Sequence, residues 1–238
     1  MLRRGRQHDP EYGGPQVGIP SLVAFFLVFV GVWVGLNLAL GQLISFRPYS
    51  EVFNDPRSAL LQGMVPMAVA SAITLVIAAR YGLFRDIWRE PPSVPEAPWW
   101  MWWAGLLPVA AIIALAVYES TAISHIRVFS LPQVAALLAT VAVTGFAQEV
   151  HFRGLLLVGA RRRFRAEWQA FTLSTALFGA LPLFNVLLGS SVPVVLGRAV
   201  LAVGIGATLY CVRRTARSLV PAIALHIMLS LVLGLGFS

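Results

Sequence analysis

Near the middle of the chain, Gln148-Glu149-Val150-His151-Phe152-Arg153-Gly154 sets three ionisable side chains into an otherwise apolar run from about Leu131 to Ala160. Glu149 is the one carboxylate lying well inside such a run. A charge in lipid is costly, so it pairs, faces a bundle interior and marks function. On a helix Glu149 and Arg153 stand four residues apart and share a face, with Gln148, His151 and Phe152 on an adjoining one. Two chemistries are open to this group. A buried Glu–Arg pair can simply fix helix packing, each charge neutralising the other. The same carboxylate beside a histidine can bind a polar substrate group or act as acid or base on water. His226 supplies that histidine. It lies about nine residues into the last apolar run, and Glu149 about eleven residues from the end of its own, so both sit roughly 13–16 Å in from the same side at 1.5 Å per residue. Ser230, four residues after His226, shares its face, although such a serine often bonds its own backbone. Glu149, His151 and His226 could also be drawn around a metal ion. That cation would compete with Arg153, so neither a metal nor any other cofactor is expected. His8 and His125 fall in the tail and a loop, away from this level.

The elements that must position these residues are legible in the composition. The chain is 58% hydrophobic and 12% charged, whereas soluble domains carry about 25% charged residues. It reads as an all-α, polytopic membrane bundle. Crossing a bilayer takes about 20 apolar residues, and seven stretches qualify, roughly 19–44, 60–79, 99–118, 132–158, 168–188, 194–212 and 219–235. The expected organisation is a tail over 1–18, three helices with their loops over 19–130, and a core over 131–236 holding the last four. Trp99, Trp100, Trp102 and Trp103 open the third stretch as an interfacial belt, after a stiff Pro-rich linker at residues 91–98. The formal charge of +8 invites a nucleic-acid reading. The charge is instead clustered at the ends of apolar runs, so the lipid bilayer is the expected partner and nucleic acid is not. Arg3, Arg4 and Arg6, then Arg80, Arg85 and Arg89, then Arg161, Arg162, Arg163 and Arg165, then Arg213, Arg214 and Arg217 fall on one side if seven spans alternate. Arg47, Arg57 and Arg127 fall in loops on the other. The positive-inside rule then makes this a multi-pass cell-membrane protein with a cytoplasmic N-terminus and an outside C-terminus. All the basic residues are arginine, which suggests a GC-rich coding sequence and a bacterial source. Cys211 stands alone and excludes an intramolecular disulfide. Arg198 should snorkel to the interface, and Asn37 should donate a hydrogen bond between helices.

Three groups of residues, in order, resemble the CPBP family, the type II CAAX prenyl endopeptidases and their bacterial relatives in bacteriocin processing and self-immunity. The family pattern is Glu-Glu-x-x-x-Arg, then Phe-x-x-x-His, then His-x-x-x-Asn. Here the parts read Gln148-Glu149-Val150-His151-Phe152-Arg153, then Phe178-Gly179-Ala180-Leu181-Pro182, then His226-Ile227-Met228-Leu229-Ser230. The glycines of Val203-Gly204-Ile205-Gly206 and the approach Arg214-Thr215-Ala216-Arg217-Ser218-Leu219-Val220-Pro221 fit as well. The resemblance covers about Pro132 to Leu235. It implies an intramembrane endopeptidase fold in which the first Glu is general base on a water, the second-part His holds that water, and the last His and Asn stabilise the oxyanion. The substrate class it implies is a membrane-associated or lipidated peptide.

The departures fall on the water-activating groups. The base position is Gln148, the water-holding position is Pro182, and the final Asn is Ser230, while Glu149, Arg153, Phe178 and His226 match. A glutamine amide is not a useful base near neutral pH, and loss of a general base removes on the order of 10²–10⁴-fold in rate. Proline has no polar side chain, whereas Ser230 can still donate to an oxyanion. His151, three residues after Gln148, could take over as base, or Glu149 could activate water itself. Two functions therefore stay open. One is a peptidase using Glu149, Arg153, His226, Ser230 and His151. The other is a pseudoprotease that binds peptides as a chaperone, scaffold or immunity factor.

Overall fold

The structure, a computed structural model, describes residues 17–42, 55–106, 109–110, 114 and 130–236. Among the described residues the chain is helices and turns, and the one extended pairing is an isolated antiparallel bridge between Arg89 and Ser218. The helices with described bounds are α1 (Ile19–Gly41), α2 (Pro56–Arg80), α3 (Phe84–Trp88), α4 (Leu131–Arg163), α5 (Glu167–Leu188), α6 (Val192–Ala216) and α7 (Val220–Gly236). Five of them, α1, α2, α4, α5 and α6, are long and apolar enough to cross a membrane, and α7 carries a shorter apolar stretch, Val220–Val232. The expected third span is helical at 100–106 and falls in part outside the described residues, as do His8, His125, Arg47 and Arg127.

Local chemistry sets the helix starts. Proline stands in the first turn of α1, α2, α4 and α6, where its missing N–H has no intrahelical partner to lose. Asp55 caps α2 by accepting from the backbone N–H and hydroxyl of Ser58, each at 2.8 Å. Ser130 and Gln133 form a reciprocal capping box at the start of α4. Two helices contain wide π-type turns, Ala59–Met64 in α2 and Val150–Leu156 in α4. Such turns are rare and frequent at functional sites. α5 tightens into 3₁₀ geometry over Leu181–Leu188. Pro182 cannot donate the helical bond back to Phe178, so the chain rewinds, and the Leu181 N–H takes the Phe178 carbonyl instead.

α4 is the axis of the bundle. Its first half packs against α2 and α7 and its far end against α5, while α1 lies on α2 and on the tight end of α5, and α6 lies on α5 and α7. At 33 residues it is about 50 Å long, more than the roughly 30 Å of a hydrocarbon core. Its last turns with Arg161, Arg162 and Arg163 therefore reach past the apolar zone. α1 shows the period of a helix packed on one side. Leu22, Phe25, Phe26, Phe29, Val30 and Trp33 are buried, while Val23, Leu27, Val28 and Leu38 are exposed. Asn37 departs from expectation: its amide donates to the Trp33 carbonyl of the same helix at 3.1 Å, not to a neighbouring helix. Arg198 is half-buried near the start of α6.

The arginine clusters behind α2, α4 and α6 meet at one end of the bundle. Arg162 donates to the Tyr81 and Gly82 carbonyls and to Asp86, and Arg161 and Arg213 both reach Glu90. The segment 83–98, which contains α3, runs across that end.

Candidate functional site

The π turn of α4 carries the motif. Arg153 Nη1 donates to Glu149 Oε1 at 2.9 Å, and His226 Nδ1, arriving from α7, meets the same oxygen at 2.9 Å. Arg153 Nη2 donates to the Gly206 carbonyl of α6 at 2.9 Å. The guanidinium also lies over the Phe178 ring of α5, 4.0 Å from its centroid, and the His226 ring meets Phe178 edge-on at 5.6 Å. Four helices thus meet around the Glu149–Arg153–His226 cluster. Glu149 and Arg153 are fully buried and His226 is 6% exposed. Burying these charges is tolerable because they neutralise each other and Arg153 gains a carbonyl and an aromatic face as well. With Glu149 accepting, Nδ1 of His226 is the donor, which leaves Nε2 as the acceptor in the neutral ring.

Close approach at Gly206 makes the arrangement possible. A Cβ there would stand 3.1 Å from Arg153 Nη2, 3.1 Å from Phe178 Cδ1 and 3.3 Å from Thr175 Cγ2. Thr175 of α5 therefore borders the centre, and sequence reasoning did not single it out. A threonine in an apolar helix commonly bonds its own backbone, so its type carries no signal. Here its hydroxyl, like Glu149 Oε2 and Arg153 Nε, is buried without a hydrogen-bond partner. Its neighbour Ser174 donates to the Phe152 carbonyl at 2.7 Å and ties α5 to the π turn.

His151 does not join this centre. Two residues along a helix turn a side chain by about 200°, so His151 faces α1 and α2, not the adjoining face expected from the sequence. Its ring stacks on Phe29 with centroids 4.2 Å apart, and Nδ1 lies 3.0 Å from Thr74 Oγ1. Thr74 spends its single hydroxyl proton on the Ala70 carbonyl at 2.8 Å, which makes His151 the donor in the pair. Glu149, His151 and His226 therefore form no joint ligand set, and among the described residues no three His, Cys, Asp or Glu side chains gather to hold a metal. Gln148 is half-buried on α4, Pro182 is half-buried where α5 tightens, and Ser230 is half-buried one turn beyond His226.

A second ionic cluster lies at the arginine-rich end. Glu90 accepts from Arg213 Nε at 2.8 Å and from Arg161 Nη1 at 2.7 Å, and Arg161 also grips Glu167, which accepts from Tyr210. Burial alone would raise the Glu90 pKa, but Arg213 and Arg161 outweigh it and hold the carboxyl below its ordinary range.

A helical membrane bundle with a buried Glu–Arg–His centre shared by its last helices defines the class of protein. Residues 130–232 match the family model described as Type II CAAX prenyl endopeptidase Rce1-like. No curated protein and no solved structure matches the chain.

Proposed function

We propose that this protein is a peptide-binding, non-hydrolysing member of the family. It would sit in a bacterial cell membrane with the arginine-rich end in the cytoplasm, and its Glu149 centre would hold a membrane-associated or lipidated peptide. The observation that carries this reading is the double occupation of Glu149 Oε1 by Arg153 and His226, at a centre where Gln148 and Pro182 stand in the positions of base and water holder. An oxygen already occupied by two donors has little room to take a hydrogen bond from a water, and neither Gln148 nor Pro182 can act as a base in its place. His151, turned toward Thr74 and Phe29, does not supply a base from the other side.

One observation favours a second reading. Glu149 Oε2 is buried without a partner. In a hydrolysing centre this oxygen would take the proton from a water, with Arg153 orienting the carboxylate and Ser230 donating to the oxyanion, which His226 would join from Nε2 only as the imidazolium. The experiment that separates the two incubates the purified full chain with a tagged library of membrane and lipidated peptides carrying a photo-crosslinker. Capture without cleavage, weakened in Glu149→Ala, is the expected result. Cleavage that disappears in Glu149→Ala would establish the second reading, and neither capture nor cleavage would overturn both.

A further inference from the structure

We propose that residues 83–98 form a latch across the α6–α7 turn, and that its release opens the Glu149 centre. Backbone pairing fastens it. The Glu90 N–H donates to the Arg217 carbonyl at 3.1 Å, the Leu219 N–H donates to the Trp88 carbonyl at 3.1 Å, and Arg89 bridges Ser218. Side chains fasten it again. Arg213, Arg214 and Arg217 donate to the Asp86, Pro95, Val94 and Pro91 carbonyls. The Glu90 carboxylate, its side chain wholly buried, is clasped by Arg161 and Arg213, with Arg214 3.6 Å away.

Two contacts connect this fastening to the centre. Ile87, fully buried, presses on Gly154, the residue after Arg153, where a Cβ would come within 2.9 Å of Ile87 Cγ2. The Trp88 carbonyl holds Leu219, which starts the helix that delivers His226. The segment thus bears on both elements that meet at Glu149. The turn it holds is itself under tension, because Arg217 is a non-glycine residue at φ 52. Such a conformation persists where its surroundings over-determine it, and here those surroundings are the segment. When the Glu90 clasp opens, Arg217 loses the partners that keep it in the left-handed region, α7 is freed from its tether, and Ile87 leaves the Arg153 turn. The latch is independent of whether the centre hydrolyses a peptide or only binds it.

The test is carried out on the full chain in a Cys211→Ser background, with Thr175→Cys as a reporter beside Arg153 and a water-soluble maleimide as the probe. Arg89→Cys and Ser218→Cys together place a disulfide across the bridge, where paired strands bring Cα atoms within disulfide range. Labelling of the reporter is timed with the bridge cysteines first oxidised and then reduced and capped. The account expects oxidation to slow labelling by about tenfold or more, and reduction to reverse it, since 1–2 kcal/mol of local stability corresponds to a factor of about 5–30 in the open population. In a chain with native Arg89 and Ser218, Glu90→Gln should speed labelling and raise hydrogen exchange at the Glu90 and Leu219 amides while α4 stays protected. Equal labelling of the oxidised and reduced forms would overturn the latch. So would a Glu90→Gln chain whose segment amides exchange freely while the reporter stays as slow as before. A variant that unfolds shows itself by exchange throughout α4, and the reversible disulfide then decides alone.

Discussion

Glu149 and Glu90 are both buried carboxylates answered by arginine, but their surroundings differ. Glu149 lies within α4 and is served by a single guanidinium from its own helix, four residues on, and by a neutral-capable imidazole from α7. Glu90 lies in a non-helical stretch and is served by Arg161 and Arg213, which come from the ends of two different helices. The first takes its one guanidinium from its own helix and leaves Oε2 buried without a hydrogen-bond partner. The second fills both oxygens and joins segments far apart in sequence. A carboxylate that only holds helices together is expected to use both oxygens. Glu149 Oε2 has no hydrogen-bond partner, and the proposed peptide contact would fall there.

The comparison breaks most directly at Arg153. Arg153→Ala leaves Glu149 buried with no cation, and removing one partner of a buried pair costs about 3–5 kcal/mol. Thermal unfolding in detergent should show a large drop, and an unchanged midpoint would mean that the pair is solvated. Glu90→Ala should cost less, about 1.5–3 kcal/mol, the range for hydrogen bonds to charged groups, because Arg161 keeps Glu167 and Arg213 keeps the Asp86 carbonyl. Acid sharpens the contrast. The folded pKa of Glu90 lies below its ordinary value of 4.5, so its contribution is complete above that value and is lost as pH falls through the folded pKa. Unfolding followed below pH 4.5 should show a loss of stability in the native chain that is absent in Glu90→Gln.

Smaller effects test the edges of the centre. Phe178→Leu removes the face under Arg153 and should cost about 0.5–2 kcal/mol, with peptide capture weakened because Arg153 and His226 both lose their shared wall. His151→Phe should change stability by less than about 1 kcal/mol, since Thr74 keeps its bond to Ala70 and the aromatic stack on Phe29 survives. Capture should be unchanged, and a loss of capture would return His151 to the centre.

Much of this arrangement could be read from the sequence, for physical reasons. Spans of apolar residues are long and repetitive, so helix positions followed to within a few residues at α1 and α4–α7. Glu149, Arg153 and His226 could be placed together because charges in apolar runs are rare and helical rise converts residue counts into depth. The side to which His151 turns follows from helix geometry, about 200° from Glu149, and the expectation of an adjoining face overlooked it. Its partners there, the Phe29 ring and the Thr74 hydroxyl, stand on other helices and were not legible. Thr175 gave no signal by type. In the sequence, Arg161, Arg213 and Arg214 cluster at the ends of apolar runs, a pattern that topology explains without any ionic partner. Their pairing with Glu90 rests on the path of residues 83–98, where hydrophobic periodicity has nothing to say.

The claim that the centre binds without hydrolysing is tested most directly by rebuilding it. Peptide cleavage by the native chain is compared with that of a chain carrying Gln148→Glu and Pro182→His together. The added carboxylate would stand beside Glu149, and Arg153 offsets the like-charge repulsion between them. The account predicts no cleavage by the native chain, cleavage by the double variant, and less from Gln148→Glu alone. Native cleavage that is lost in Glu149→Ala and not raised by the double change would contradict it.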